Sequence, residues 1–313
     1  MDRARTTRTS AAALLAAGLA LALLPAGPAA AGPRDSAPDA RTLDAVAAGL
    51  DAAAWAAGTD VTGWYPDPTT GRVVIGVAGG DPGAAGPLIA ASGVDAGAVR
   101  VETGEPRPLA PDVPASAADP APGRGTAAAD AQIIGGEPFA TDGVVRCVIG
   151  LAVDTGFVAG PGCGEVGDTA SGTGGGTGTF AAVSPAGAAL VVADPGWTPT
   201  PYVRMGAGLA TVSGSQEAPV GAQVCRAGAT TGVHCGVVQA RNQTVNFPQG
   251  PVSGLTRTSI CTEPGDRPGP YLSGGQAQGI HAGGAGSCAT GGATYFAPIN
   301  PLLAGWGVTL MAG

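Results

Sequence analysis

Six cysteines and two histidines are the residues of this chain best suited to covalent or metal chemistry. All the cysteines lie between Cys147 and Cys288. An even, clustered set of this kind either builds a disulfide framework or holds a metal. The metal reading fails on ligands, because His234 and His281 are the only imidazoles and no C-x-x-C pair occurs. Disulfides remain, with their connectivity left open by spacing alone. The run from Gly172 to Gly178 is glycine-rich, yet no Lys-Ser or Lys-Thr follows it and no strand–helix context surrounds it. It reads as a loop between strands rather than a phosphate cradle. No metal and no cofactor is expected.

Disulfides persist in an oxidising compartment, and the N-terminus supplies a route to one. Arg3, Arg5 and Arg8 precede an apolar run from Ala11 to Leu24, Pro25 breaks it, and Ala29-Ala30-Ala31 offers small residues for cleavage before Gly32. Residues 1–31 therefore read as a secretory signal, too short in its apolar core for a comfortable membrane span. No second hydrophobic stretch follows, so the mature product is expected outside the cell and off the membrane. The formal charge is −8 and every basic residue is Arg. No segment interleaves cations with aromatics, so a nucleic-acid partner is excluded.

The elements that must position any site fall into three regions. Residues 39–110 open with a helical pattern (Leu43, Val46, Leu50, Ala54) and continue through the strand Val73 to Val77 and a second strand, Ala98 to Glu102. Trp64-Tyr65-Pro66-Asp67-Pro68 reads as a turn before the first strand. The region is a small, cysteine-free α+β domain. Residues 111–132 are a Pro/Ala/Asp/Gly linker. Residues 133–313 alternate short Val/Ile/Thr runs with glycine-rich turns, among them Val144 to Val153, Leu190 to Ala193, Val237 to Asn246 and Gly279 to Ala282. Such texture marks an all-β sandwich or barrel.

The cysteine-bearing segments carry a more specific signal. Ile133-Ile134-Gly135-Gly136, GAQVCRAGATTGVHCG from Gly221, VVQARNQTVNFPQGPVSGL from Val237, Cys261-Thr262-Glu263-Pro264-Gly265-Asp266 and GGATYFAPIN from Gly291 resemble the secreted bacterial serine proteases of the streptogrisin and α-lytic type, in the chymotrypsin superfamily. GWYPDPTTGRVVIGV and AVRVETGEPRPL resemble the pro-domain of those enzymes. The resemblance implies two antiparallel six-stranded Greek-key β-barrels with a cleft between them, behind an α+β pro-domain. It implies disulfides Cys147–Cys163, Cys225–Cys235 and Cys261–Cys288, and a buried salt bridge between Arg226 and Asp266. Asn242-Gln243-Thr244, a glycosylation acceptor pattern, stands where the family carries the same hairpin residues.

The catalytic triad is another matter. The family's T-A-G-H-C motif resembles Ala159-Gly160-Pro161-Gly162-Cys163, which puts Gly162 at the His position. Counting back from Val191 puts Gly187 at the Asp position, and no acid occurs between Asp168 and Asp194. The G-D-S-G-G motif resembles Gly265-Asp266-Arg267-Pro268-Gly269, with Arg267 in place of the Ser. A guanidinium is neither nucleophile nor base at neutral pH, and Pro268 deletes a backbone donor beside the oxyanion hole. Ala282 replaces the Ser that supports the Asp in the family's S-G-G strand.

The expected peptide-binding set, carried over from the family, is Pro264, Gly265, His281, Ala282, Gly283 and Gly284. His234 beside a disulfide is structural. His281 maps to a wall of the S1 pocket, where glutamate-specific relatives place a His on the substrate carboxylate. It either makes a pocket for acidic side chains or fills one that binds nothing. Three readings follow: a secreted pseudoprotease that binds extended peptides or protease inhibitors, an active serine-type endopeptidase with a rewired site, or a decaying paralogue. The chain's own pro-domain is an expected partner in each. Without self-cleavage at Ile133, either another protease cuts the linker or the pro-domain stays attached.

Overall fold

The computed structural model describes residues 40–109, 131–143, 145–228, 232–263, 266 and 269–313. The expected signal peptide, nearly all of the linker, and Pro264, Gly265, Arg267 and Pro268 lie outside the described residues.

The N-terminal domain folds around helix α1 (Ala40–Ala52), which lays Leu43, Ala47 and Leu50 on one buried face. That spacing is the helical i, i+4, i+7 stripe. It covers strands β1 (Val61–Asp67) and β2 (Arg72–Val77), whose Trp64, Val73, Ile75 and Val77 complete the core. Helix α2 (Gly86–Ser92) then crosses to β3 (Val99–Thr103), which runs parallel to β2. The turn expected over Trp64–Pro68 is corrected: Trp64 to Asp67 are strand, paired with Ile75 to Arg72. Trp64 is fully buried and donates its indole N–H to Asp51 (2.9 Å), so it belongs to the core side of the sheet. The turn follows instead, where the Asp67 carboxylate accepts from Thr69 N and from the hydroxyls of Thr69 and Thr70.

The chain next forms β4 (Pro108–Leu109) and β5 (Ala131–Gly135). Ala131 and Gln132 are thus strand rather than linker, pairing in parallel with Trp197 and Thr198. Trp197 makes that contact decisive. Side chains at Gly172 and Gly176 would meet its indole at 2.7 and 2.2 Å, so the glycine-rich loop is what lets the ring in.

Six strands close the first barrel: β6 (Pro138–Thr141), β7 (Val145–Val153), β8 (Gly156–Ala159), β9 (Thr169–Gly172), β10 (Thr177–Val183) and β11 (Ala189–Ala193). Phe139, Phe157 and Phe180 fill it, Phe139 and Phe157 meeting edge to face at 5.1 Å. Strand β12 (Trp197–Met205) pairs with β13 (Gly208–Thr211) and leads to the second set. That set is β14 (Gln223–Gly228), β15 (Gly232–Phe247), β16 (Gly250–Thr258), β17 (Pro270–Ser273), β18 (Gln276–Ser287) and β19 (Gly291–Pro298), with helix α3 (Ile299–Trp306) behind.

Both sets share one order. The first runs β6-β7-β8-β11-β10-β9, and the second β14-β15-β16-β19-β18-β17 with β17 returning to β14. A fourth strand beside the first is the Greek-key signature. Strand β15 outruns its barrel, and its far end pairs with β1 at Gly63↔Val245 and Trp64↔Thr244. The N-terminal domain thereby continues the sheet of the second barrel.

Candidate functional site

Two loops and a hairpin meet in a cavity of about 520 Å³. Pro161 and Gly162 come from the segment after β8, tied down at once by the Cys147–Cys163 disulfide. Gly187 comes from the β10–β11 turn, held by Ser184 N to Ala188 O (2.7 Å) and Gly187 N to Ser184 O (2.8 Å). The β15–β16 hairpin adds Phe247, Gln249 and Val252, and the other lining positions are Pro, Ala and Gly. Among the described residues this wall carries no carboxylate, imidazole, hydroxyl, thiol or amine. Gly162 and Gly187 both have left-handed backbone, with φ of +75° and +78°. A residue with a Cβ pays a steric penalty in that region.

Strand β18 passes beside this cavity with Ala282, Gly283 and Gly284, and it holds an extended segment. Leu109 pairs with Gly284 and Pro108 with Ala285, antiparallel. The missing side chains make the approach fit: a Cβ on Gly283 would lie 2.7 Å from Leu109 O and 2.5 Å from the Phe247 ring. Further contacts fasten the N-terminal domain to the same barrel. Asp51 accepts from Thr244 Oγ1 (2.5 Å), Asn246 Nδ2 donates to Val61 O (2.9 Å), and Arg257 pairs with Glu105 (3.1 Å).

Under the strand, Arg226 and Asp266 form an ion pair at 2.7 Å with both side chains fully buried. Asp266 also accepts from Thr262 Oγ1 and Glu263 N (both 3.3 Å). His281 is 1% exposed, and its Nδ1 lies 2.8 Å from the Tyr271 hydroxyl. The rings stack with an interplanar angle of 11°. Burial, with the Arg226 charge adding to it, holds the His281 pKa well below the ordinary imidazole value, so the ring is neutral. Burial likewise raises the Tyr271 phenol. In the described structure the His281 ring is enclosed and its Nδ1 is engaged by Tyr271, so a substrate carboxylate would have to be met through the other ring nitrogen.

Against this geometry, comparison with known proteins is informative. The α-lytic protease prodomain family matches residues 40–96, and the trypsin family matches residues 186–305. The solved structure of Cellulomonas bogoriensis chymotrypsin is 43% identical, with a TM-score of 0.54 over all of that chain and 58% of this one. The chain belongs to the bacterial serine proteases of the chymotrypsin superfamily. The crystal structure of Nocardiopsis protease agrees, at 46% identity and a TM-score of 0.54 over the same shares. Streptogrisin-C of Streptomyces griseus is 41% identical across 79% of this chain, but the match spans only about half (51%) of that relative.

Within this family the disulfide pairing expected from resemblance is the one present: Cys147–Cys163, Cys225–Cys235 and Cys261–Cys288. The last bond also disposes of a metal at His234, Cys261 and Cys288. Their donor atoms cluster within 4.8 Å, yet both sulfurs are consumed in the bond and neither is a thiolate. His234 Nδ1 sits 3.8 Å from Cys261 Sγ, beside the disulfide. Among the expected peptide-binding residues, the structure brings Ala282, Gly283 and Gly284 together on β18 and encloses His281. Pro264, Gly265 and Arg267, the last expected at the nucleophile position, lie outside the described residues. Sequence reasoning missed Pro161, Phe247 and Leu109 as parts of the cleft. No local pattern marks them, since each arrives from a different element. Asp51 was missed too; with Asp44 one i, i+7 step before it in α1, nothing local marked it as the acid that binds Trp64 and Thr244. No described helix is long and apolar enough to cross a membrane.

Proposed function

We propose that this chain is a secreted, non-catalytic member of its protease family, whose role is to bind extended peptide along Gly283 and Gly284. One observation carries the reading: the cavity where Gly162 and Gly187 meet is lined by no described side chain able to accept or donate a proton near neutrality. Serine-protease chemistry needs a base in hydrogen-bond reach of a nucleophile and an acid to orient that base. Both histidines of the chain are engaged elsewhere, His281 with Tyr271 and His234 beside the Cys261 disulfide. Loss of base or nucleophile alone costs on the order of 10⁶ in rate in related chemistry.

Support for peptide binding comes from β18, which already accepts an antiparallel segment at Gly284. Strand addition of this kind draws its affinity from main-chain hydrogen bonds and needs no catalytic group. Extended peptides and the binding loops of protease inhibitors share that main-chain chemistry. The N-terminal signal pattern supports secretion.

Peptide-library hydrolysis by the purified secreted chain, read by mass spectrometry, tests the reading, with an Arg267→Ala variant as the control for contaminating protease. The expected outcome is no cleavage above that control. Cleavage that survives purification to constant specific activity, and is abolished by a substitution in the cleft, would overturn it.

A further inference from the structure

The cavity at Gly162 and Gly187 lies along the path of the peptide strand, and the chain itself marks that path. Arg107 and Pro108 line a smaller cavity together with Phe247 and Gly250, and those last two also line the one at Gly162. Leu109 follows and pairs with Gly284. Its carbonyl, through which the chain continues, lies at Gly283 beside the Phe247 ring. An extended segment in this register therefore runs on from Leu109 to the edge of the cavity.

Side-chain alternation decides which residue enters it. Successive side chains of a strand point to opposite faces. Pro108 is buried and Leu109 is 52% exposed, so the residue after the one paired with Gly284 turns its side chain inward again. On that side stand Phe247 and the rings of Pro161, Pro185 and Pro251. Gln249 is the one polar side chain of the described wall, and no charged one lines it. An ionised side chain would lose its water there without gaining a partner. Gly162 and Gly187 contribute no side chain, which leaves the space of about 520 Å³ open to an incoming group. The next residue in this chain is Ala110, whose side chain is a single methyl group. A peptide with a ring at that position brings apolar surface that the chain's own segment lacks.

On the reading that β18 binds peptide, we infer that this cavity selects the ligand by one side chain: an aromatic ring at the residue after the one paired with Gly284, seated against Phe247 and the three prolines. A phenyl ring buries a large apolar area and leaves no polar atom to satisfy. Gly162 and Gly187 are the expected base and acid positions, so the space that catalysis would use is here the space that recognises a ligand.

Calorimetric titration of the full secreted chain with acetyl-Pro-Leu-X-Ala-amide peptides tests the assignment, with X as Phe, Ala, Glu or Lys. The Pro-Leu pair reproduces the segment opposite Ala285 and Gly284 and so sets X in the position after it. The Phe peptide should bind at least about tenfold more tightly than the Ala peptide, and the Glu and Lys peptides no more tightly than Ala. Each peptide must displace Pro108 and Leu109, so the series is repeated on Leu109→Pro. That change weakens the pairing of the chain's own strand and should strengthen all four peptides alike. Val252→Phe and Ala186→Phe fill the cavity from different elements. Each should remove the Phe preference and leave the affinity of the Ala peptide unchanged. Equal affinity for the Phe and Ala peptides, tight binding of a charged one, or a preference that survives both filled variants overturns the assignment and leaves the strand reading standing. Failure of every peptide to bind either chain overturns the strand reading and the assignment with it.

Discussion

Gly187 lies against Pro161 so closely that a Cβ at that glycine would sit 3.0 Å from the proline Cβ. The two loops expected to carry the base and the orienting acid of a protease are therefore packed on each other as backbone and ring. The left-handed φ at Gly162 and Gly187 adds to this: both loops use backbone that glycine adopts without steric cost, although Asp142 shows that an acid can take it too.

Restoring the side chains should accordingly fail. The triple variant Gly162→His, Gly187→Asp and Arg267→Ser is expected to show no hydrolysis of chromogenic peptides. Gly187→Asp alone should destabilise the chain by about 1 kcal/mol, the low end for left-handed backbone because Asp tolerates it better than most residues, with the 3.0 Å Pro161 contact adding to that. Denaturant titration checks the second figure.

The Arg226–Asp266 pair is sealed from solvent. Removing one partner strands a buried charge, so Asp266→Asn should cost about 3–5 kcal/mol. Replacing both, as Arg226→Met with Asp266→Leu, should cost less than the single change. Thermal unfolding of the two variants gives the comparison directly.

Stability should also depend on pH through His281. Its folded pKa is depressed, whereas in the unfolded chain the imidazole titrates at its ordinary value of 6.5. The unfolded state thus binds the proton first. The contribution is complete above about pH 6.5 and is lost as pH falls below it toward the folded pKa. Denaturation midpoints measured at about pH 7.5 and 5.5 should fall with acid, and His281→Gln should flatten the difference.

Asp51 ties α1 to both Trp64 and Thr244, which lie on paired strands from the two domains. Asp51→Ala removes both bonds and leaves two buried donors short of an acceptor, at about 1–3 kcal/mol. Faster hydrogen exchange at Val245 and Asn246, with the barrel interior unchanged, is the expected signature. Gly63→Val should act in the same direction, since a Cβ there would meet Thr244 O at 2.2 Å.

Much of this protein was legible in the linear chain. Leu43 and Leu50 recur at helical spacing, and Val73 to Val77 is a buried strand wherever it is placed. The cysteine-bearing segments are close enough to known proteases to imply their own pairing. Those signals are local, or borrowed from relatives with the same local words. Trp64 was misread because Pro66 and Pro68 speak locally for a turn, whereas burial of the indole against Asp51 is a tertiary fact. The same distinction governs the site. From the sequence alone comes the expectation, carried over from the family motifs, that Gly162 and Gly187 stand at the His and Asp positions. Only the fold decided that Gly162, Gly187, Pro161 and Phe247 converge on one cavity, that Leu109 occupies the strand at Gly284, and that His281 faces inward to Tyr271. Those relationships join residues far apart in the chain, and they are set by barrel closure and by packing, neither of which has a local signature.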